Sequence, residues 1–308
     1  HLGIAAFNKQ HDTAQALAYF EKAYQLNTTD ARVLMELDQL YKRLNYMPGR
    51  RIALLQQHKE VAIQRDDIYL EQVALQNFKG EFAAALQMLM SRNFHPWEGG
   101  EGRVSGQYLY SLIEMAKIDM KRANYKQAIE KLNSARHYPY NLGEGKLPGA
   151  QENDIFYWLG GAYEGLGDKE NMAKYWQLAA VGLSEPSAAI FYNDQQPDKI
   201  FYQGLARQKL GDKAGAERIF KKLMEYGNAH QHDEIRIDYF AVSLPDLLIF
   251  EDDMDKRNFI HCNYMAGLGY LGLHHFENAE KALQTVLKND AMHFGAQTHL
   301  RLIDWLKG

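Results

Sequence analysis

The chain has 308 residues, 46% hydrophobic and 24% charged, which is the composition of a folded protein. Lysine and arginine total 35 against 39 aspartate and glutamate, so a formal charge of −4 gives no electrostatic footprint for nucleic acid as a partner. Its one cysteine, Cys262, excludes an internal disulfide framework, and no apolar run is long enough to predict a membrane span.

The sequence starts at His1, inside an apolar helical pattern that includes Leu2, Ile4 and Phe7, and no signal segment is visible. We therefore expect these residues to be a piece of a longer protein, with any targeting signal outside them. The compartment stays open, with the cytoplasm favoured.

Amphipathic helical segments then follow one another at a period of about 34 residues, in about seven units. We expect one helical array over 1–308. Its segments are amino-terminal repeats 1–91, loop insertions 92–108 and 137–154, central repeats 109–136 and 155–229, an insertion 230–258, and a carboxy-terminal repeat with a capping helix, 259–308.

The clearest unit is IFYWLGGAYEGLGDKENMAKYWQLAAVGL, at 155–183. Small residues such as Gly160 let two helices approach, and large ones such as Trp176 fill the gaps between turns. Gly167 is suited to the left-handed end of the first helix, and Asp168 to the cap of the second. The same slots recur along most of the chain, which predicts stacked helix pairs.

This pattern resembles the tetratricopeptide repeat (TPR) family. The resemblance implies an all-α fold, a right-handed α-solenoid of antiparallel helix pairs, here with long loop insertions. In the family the first helix of each unit lines an inner groove that binds a protein partner. The groove positions carried onto this chain give four aromatic candidates for partner binding: Tyr110, Tyr157, Phe201 and Tyr264.

The two loop insertions share a short pattern, GEGR at 100–103 and GEGK at 143–146. Glycine permits positive φ, so each glutamate should be presented on a tight, exposed turn, and both loops could lie on one edge of the array. An aromatic ring beside carboxylates is a combination suited to binding a sugar. The candidate ligand or partner residues are Trp97, Glu98, Glu101, Arg103, Glu144 and Lys146. The alternative is a structural role, in which each glutamate pairs with Arg103, Lys146 or nearby backbone N–H groups.

The third insertion, 230–258, carries apolar residues at 247–250, followed by Glu251, Asp252, Asp253 and Asp255. Their spacing does not fit a calcium loop. Acids in this position favour a helix start, since the helix dipole stabilises negative charge there. The sequence predicts no metal site, no cofactor and no catalytic residue.

Four segments carry a second resemblance: FHPWEGGEG, YPYNLGEGKL, YFAVSLPDLLIFEDDMDKRN and HCNYMAGLGYLG. Together they are similar to the carboxy-terminal region of large bacterial proteins, in which a mutarotase-like, carbohydrate-associated domain of uncharacterised function precedes a TPR array. The resemblance implies a missing amino-terminal domain and a setting in sugar metabolism.

Two functions stay open at this point. The first is a protein-interaction scaffold that docks a partner or the missing domain of its own chain. The alternative is a carbohydrate-binding module that completes a site in a larger sugar-active protein, through the loops around Trp97, Glu101 and Glu144. The parent protein would then be glycoside-active, whereas we expect no catalysis from these residues alone.

Overall fold

A computed structural model describes residues 1–97, 99–188, 194–235 and 249–307. Within these ranges the chain forms sixteen α-helices and one 3-10 turn and contains no strand, so the all-α prediction is confirmed. The α-helices are α1 Leu2–Asn8, α2 Thr13–Leu26, α3 Ala31–Arg43, α4 Pro48–Gln57, α5 Lys59–Ala62, α6 Asp66–Phe78, α7 Phe82–Met90, α8 Arg103–Lys121, α9 Tyr125–Ser134, α10 Asn153–Leu166, α11 Lys169–Ala179, α12 Pro197–Lys209, α13 Lys213–His230, α14 Met254–Gly272, α15 Phe276–Asn289 and α16 Phe294–Lys307.

The pair α10 and α11 shows how the sequence produces a helix hairpin. Gly167 ends α10 in the left-handed region, with a φ of 75°. The Asp168 carboxylate then caps α11 by accepting the Asn171 backbone N–H at 3.0 Å. Gly160 lies against the Trp176 ring, where a Cβ atom would collide. The two helices therefore pack closely and bury Trp176, as predicted for a core position.

The next pair, α12 and α13, repeats this arrangement. Gly211 has a φ of 86°, and the Asp212 carboxylate accepts the Gly215 backbone N–H at 2.9 Å. Gly204 lies against the ring of Phe220, which is fully buried. From α6 to α16, successive pairs share one hydrophobic core. The recurrence confirms a solenoid of stacked helix pairs.

From α7 to α15, long and short connections between helices alternate along the chain. The tight turns within pairs are 122–124, 167–168, 210–212 and 273–275. The long connections between pairs are 91–102, 135–152, 180–196 and 231–253. Because successive helices run in opposite directions, the tight turns lie at one edge of the solenoid, and every long connection begins and ends at the other. The described residues of the long connections form what we call the loop edge.

Helix α16 does more than cap the last repeat. It crosses the inner face that the first helices of the pairs form. Phe294 packs against Tyr110 of α8, with ring centroids 4.7 Å apart. At the other end of α16, Trp305 packs against Trp158 of α10. The predicted capping helix at 294–308 therefore also occupies the groove.

Residues near the amino terminus contact residues near the carboxyl terminus. The Phe250 ring is buried against Phe7 and Phe20 of α1 and α2. The Asn45 side chain donates to the Lys288 carbonyl and accepts the backbone N–H of Ala291, a residue 246 positions away. These contacts close the array on itself.

The third insertion contributes to this closure. Leu247 and Leu248 lie outside the described residues. The Asp253 carboxylate caps α14 by accepting the Lys256 backbone N–H at 2.9 Å, so the predicted helix start is confirmed. Every helix in the described part of the chain is too short or too polar to span a bilayer, and no group of three histidine, cysteine or acidic side chains there could hold a metal ion.

Candidate functional site at the paired loops

The first two long connections are joined by hydrogen bonds. The Phe94 backbone N–H donates to the Asn141 carbonyl at 2.8 Å. The Asn141 side-chain amide donates in turn to the carbonyls of Leu89 and Arg92, each at 2.9 Å. Gly143, with a φ of 71°, lies so close to the Phe94 carbonyl that a Cβ atom would collide with it. The two glycine-rich turns therefore form one surface.

Glu144 has a structural contact that links the two loops. Helix α8 begins after Gly102, which has a φ of 73° and no side chain with which to cap the helix. Glu144 supplies the cap from the other loop, since its Oε2 accepts the Ser105 backbone N–H at 3.2 Å and the Ser105 hydroxyl. A carboxylate at a helix amino terminus satisfies a free N–H group and interacts favourably with the helix dipole.

The cations of the two motifs point away from their own glutamates. Arg103 forms an ion pair with Glu71 of α6, with Nη2 2.8 Å from Oε1. Lys146 forms an ion pair with Glu152, with Nζ 2.6 Å from Oε1. The alternative in which Arg103 and Lys146 neutralise the loop glutamates therefore does not describe this structure, although backbone capping does describe Glu144.

Between the loops lies a cavity of about 270 Å³, which we call the loop pocket. Trp97, Glu101 and Glu144 all line it, so three of the candidate residues converge. Trp97 is half-buried, and its ring packs on Gly100. The Glu101 side chain is exposed and forms no hydrogen bond or ion pair with the described part of the chain. The pocket thus has an aromatic wall and an acidic rim; Glu98 lies outside the described residues.

Sequence reasoning missed several residues of this site. His95, Pro96, Val104 and Leu142 complete the wall of the loop pocket. Ser105, which holds Glu144, has no motif of its own. Its backbone N–H lies in the first turn of α8, where such groups have no partner within the helix.

The aromatic side chains predicted to bind a partner in the groove pack against other side chains of this chain. The Tyr110 hydroxyl accepts a hydrogen bond from Arg301 of α16 at 3.0 Å, and burial raises the pKa of Tyr110. Tyr264 is 6% exposed, its hydroxyl lies 3.2 Å from His299 Nδ1, and burial raises its pKa well above the usual value. Phe201 is fully enclosed.

Tyr157 is the fourth of these side chains. It is half-buried, and its ring centroid lies 5.4 Å from that of Tyr202. Burial raises its pKa. Partner binding by Tyr110, Tyr157, Phe201 or Tyr264 stays a prediction. For Tyr110, Phe201 and Tyr264, which contact α16, it would require this helix to leave the groove.

No family model matches the chain. Among solved structures, the chain is similar to the C-terminal part of a TPR repeat-containing protein from Cytophaga hutchinsonii. The identity is 14% and the TM-score 0.38, over 96% of this chain and 98% of that chain. Because the TM-score is below 0.5, the solenoid described above rests on the helix packing alone.

Proposed function

We propose that the chain is a protein-interaction scaffold that receives its partner at the loop edge. The observation that carries the proposal is the position of α16, which fills the inner groove with Phe294 and Trp305 against Tyr110 and Trp158. A partner that leaves this helix in place must use another surface.

The loop edge supports the proposal because it exposes large apolar side chains. Tyr140 is 100% exposed, Leu183 74%, Val181 61% and Leu147 47%. Exposed apolar side chains also occur near the amino terminus, such as Leu26 and Met47, but those of the loop edge belong to two successive long connections, and a patch of exposed apolar side chains is typical of an interaction site. The partner is a separate protein or, as the sequence resemblance implies, a further domain of the same longer chain.

Photo-crosslinking tests this proposal. A photoreactive amino acid is placed at Tyr140 or Leu183 in the full-length protein and activated in the cells that make it. Leu166 and Leu210 are matched controls, since they are 42% and 39% exposed but lie at the tight-turn edge. We expect one partner to be crosslinked from the first two positions and not from the controls. Equal crosslinking from both edges would contradict binding at the loop edge.

A carbohydrate site is the second candidate function. The observation that favours it is the convergence of Trp97, Glu101 and Glu144 on the loop pocket. A sugar presents an apolar face that stacks on an indole and hydroxyls that donate to carboxylates. The pocket is slightly smaller than the roughly 300 to 1,000 Å³ of sites for drug-sized ligands, so it would take about one sugar ring.

Thermal unfolding with a panel of mono- and oligosaccharides tests this second candidate. A ligand at about 100 times its Kd stabilises the folded protein by about 2.7 kcal/mol. Trp97→Ala should abolish the shift in Tm, whereas Tyr46→Ala, at another half-buried aromatic residue far along the chain, should retain it. If no sugar shifts the Tm, the carbohydrate site is excluded and the scaffold proposal is unaffected.

A further inference from the structure

A second cavity, of about 340 Å³, borders the turn that carries Arg103. It lies where the amino-terminal helices meet the connection between α15 and α16. Lys42 of α3 and Glu71 of α6 line one part of it, and Met292 and Phe294 line another. We call it the seam cavity, because it lies at the closure of the array.

Two cations at the seam cavity share one carboxylate. Lys42 Nζ lies 2.9 Å from Glu71 Oε1, and Arg103 Nη2 lies 2.8 Å from the same oxygen. Arg51, which is 1% exposed, contacts Glu71 Oε2 and Asp38, each at 2.6 Å. Three cations thus meet two carboxylates here, and Asp290, on another part of the cavity wall, is a third carboxylate. The side chains of Lys42 and Arg103 are 41% and 34% exposed, so both cations border the cavity.

The electrostatics of Lys42 agree with this geometry. Burial lowers the pKa of its ammonium, Glu71 raises it, and the nearby Arg103 and Arg51 lower it again, so the net direction is downward. The single Glu71 carboxylate therefore does not offset the desolvation and mutual repulsion of the cations around it. Further negative charge in the cavity would offset the desolvation and repulsion of these cations.

The other residues that line the seam cavity restrict which ligands can bind there. Leu70, Met292 and Phe294 make part of the lining apolar. Asp290 also lines the cavity, and its Oδ1 accepts the Met292 backbone N–H at 3.0 Å. Its negative charge opposes an anion, so Asp290 limits the affinity of the site.

We propose that the seam cavity binds a small anion, with carboxylate or phosphate oxygens between the Lys42 ammonium and the Arg103 guanidinium. Both groups carry N–H donors beyond those directed at Glu71, and hydrogen bonds between ionised groups are the strong ones. A bound anion would bridge Lys42 of α3 and Arg103 of α8 beside the connection between α15 and α16. This site is separate from the loop edge and does not depend on the proposed function.

Calorimetric titration of the intact chain tests the proposal, with inorganic phosphate and, separately, benzoate at fixed ionic strength in chloride. Lys42→Met and Arg103→Met each remove one charged donor, and we expect Kd to rise by about tenfold or more. Asp290→Asn removes the opposing charge but keeps an oxygen for the Met292 N–H, so Kd should fall. Lys9→Met is the control, because Lys9 pairs with Glu251 at another closing contact and should leave Kd unchanged.

Binding of phosphate, benzoate or both with this order of affinities supports the site, and the preferred probe identifies the anionic group. Failure of both probes to bind the wild-type chain overturns it. Wild-type affinity in Lys42→Met and Arg103→Met overturns it as well. If the variants that lose a cation do not fold, Asp290→Asn decides the result, since unchanged or weaker binding in this variant contradicts an anion beside Asp290.

Discussion

The indole rings of Trp158 and Trp305 pack edge to face, with centroids 5.1 Å apart and an interplanar angle of 71°. Trp158 lies on the inner face of the solenoid, on α10, and Trp305 lies near the end of α16. The contact therefore places the last helix of the chain in the groove that would otherwise be open to a partner. Binding of a partner at the loop edge, as proposed, depends on this helix staying in the groove.

A double-mutant cycle measures this contact. Trp158→Ala and Trp305→Ala, made separately and together, should show a coupling of about 0.5 to 1.5 kcal/mol in the free energy of unfolding, the range for aromatic pairs beyond the area they bury. Urea unfolding gives the four free energies. Trp305→Ala with Tyr163→Ala is the control, because Tyr163 stacks on Tyr175 instead, and this pair should be additive. Additivity of the Trp158 and Trp305 changes would mean that the rings do not meet.

The two loop glutamates should differ in their effect on stability. Glu144→Ala removes the cap of α8, and we expect a loss of about 1 kcal/mol in the free energy of unfolding, as for other capping residues. Glu101→Ala removes an exposed side chain without a partner in the described residues, so the change should stay within about 0.5 kcal/mol. Denaturant unfolding compares the two variants. Equal losses would contradict the asymmetry between Glu101 and Glu144.

Local signals explain how much of the fold the sequence predicts. Gly167 and Asp168 define a helix end and the next helix start without reference to any distant residue, and their recurrence as Gly211 and Asp212 indicates the repeat. The capping of α8 by Glu144 has no such signal, because it depends on how two loops from adjacent units meet. The pairing of Arg103 with Glu71 is likewise a consequence of stacking.

The position of α16 was beyond prediction for a related reason. A terminal helix with an apolar face is expected from the sequence at 294–308, and α16 confirms it. Whether such a helix only covers the last repeat or also enters the groove depends on the curvature of the array. That curvature is a sum of small rotations between units and leaves no pattern in the residues. The contacts of Phe250 with Phe7 and Phe20 could not be predicted for the same reason.

His299 should make the packing of α16, and so the stability of the fold, sensitive to pH. It is 2% exposed, its Nδ1–H donates to the Gly295 carbonyl at 2.7 Å, and burial lowers its pKa to about 3. In the unfolded chain the pKa of histidine is about 6.5. Because the folded pKa is the lower one, the unfolded state binds the proton first as the pH falls. Stability is therefore retained above about pH 6.5 and lost below it, by up to about 1.4 kcal/mol per pH unit for this residue.

Unfolding free energies measured between pH 7 and pH 5 test this expectation. His299→Phe cannot titrate, so its stability should fall less steeply with pH than that of the wild-type chain. Burial also lowers the pKa of His261 and His293, so some dependence on pH should persist in the variant. A slope identical to that of the wild-type chain would show that His299 is not buried as a neutral side chain.

Hydrogen exchange on the chain, free and bound to the partner found by crosslinking, distinguishes binding at the loop edge from binding in the groove. We predict that the amides of 135–152 and 180–188 gain protection in the complex, while the protection of α16 is unchanged. This result would place the partner at the loop edge with the groove still filled. Loss of protection in α16, together with new protection in α8, α10 and α12, would show instead that the partner displaces the helix and binds in the groove.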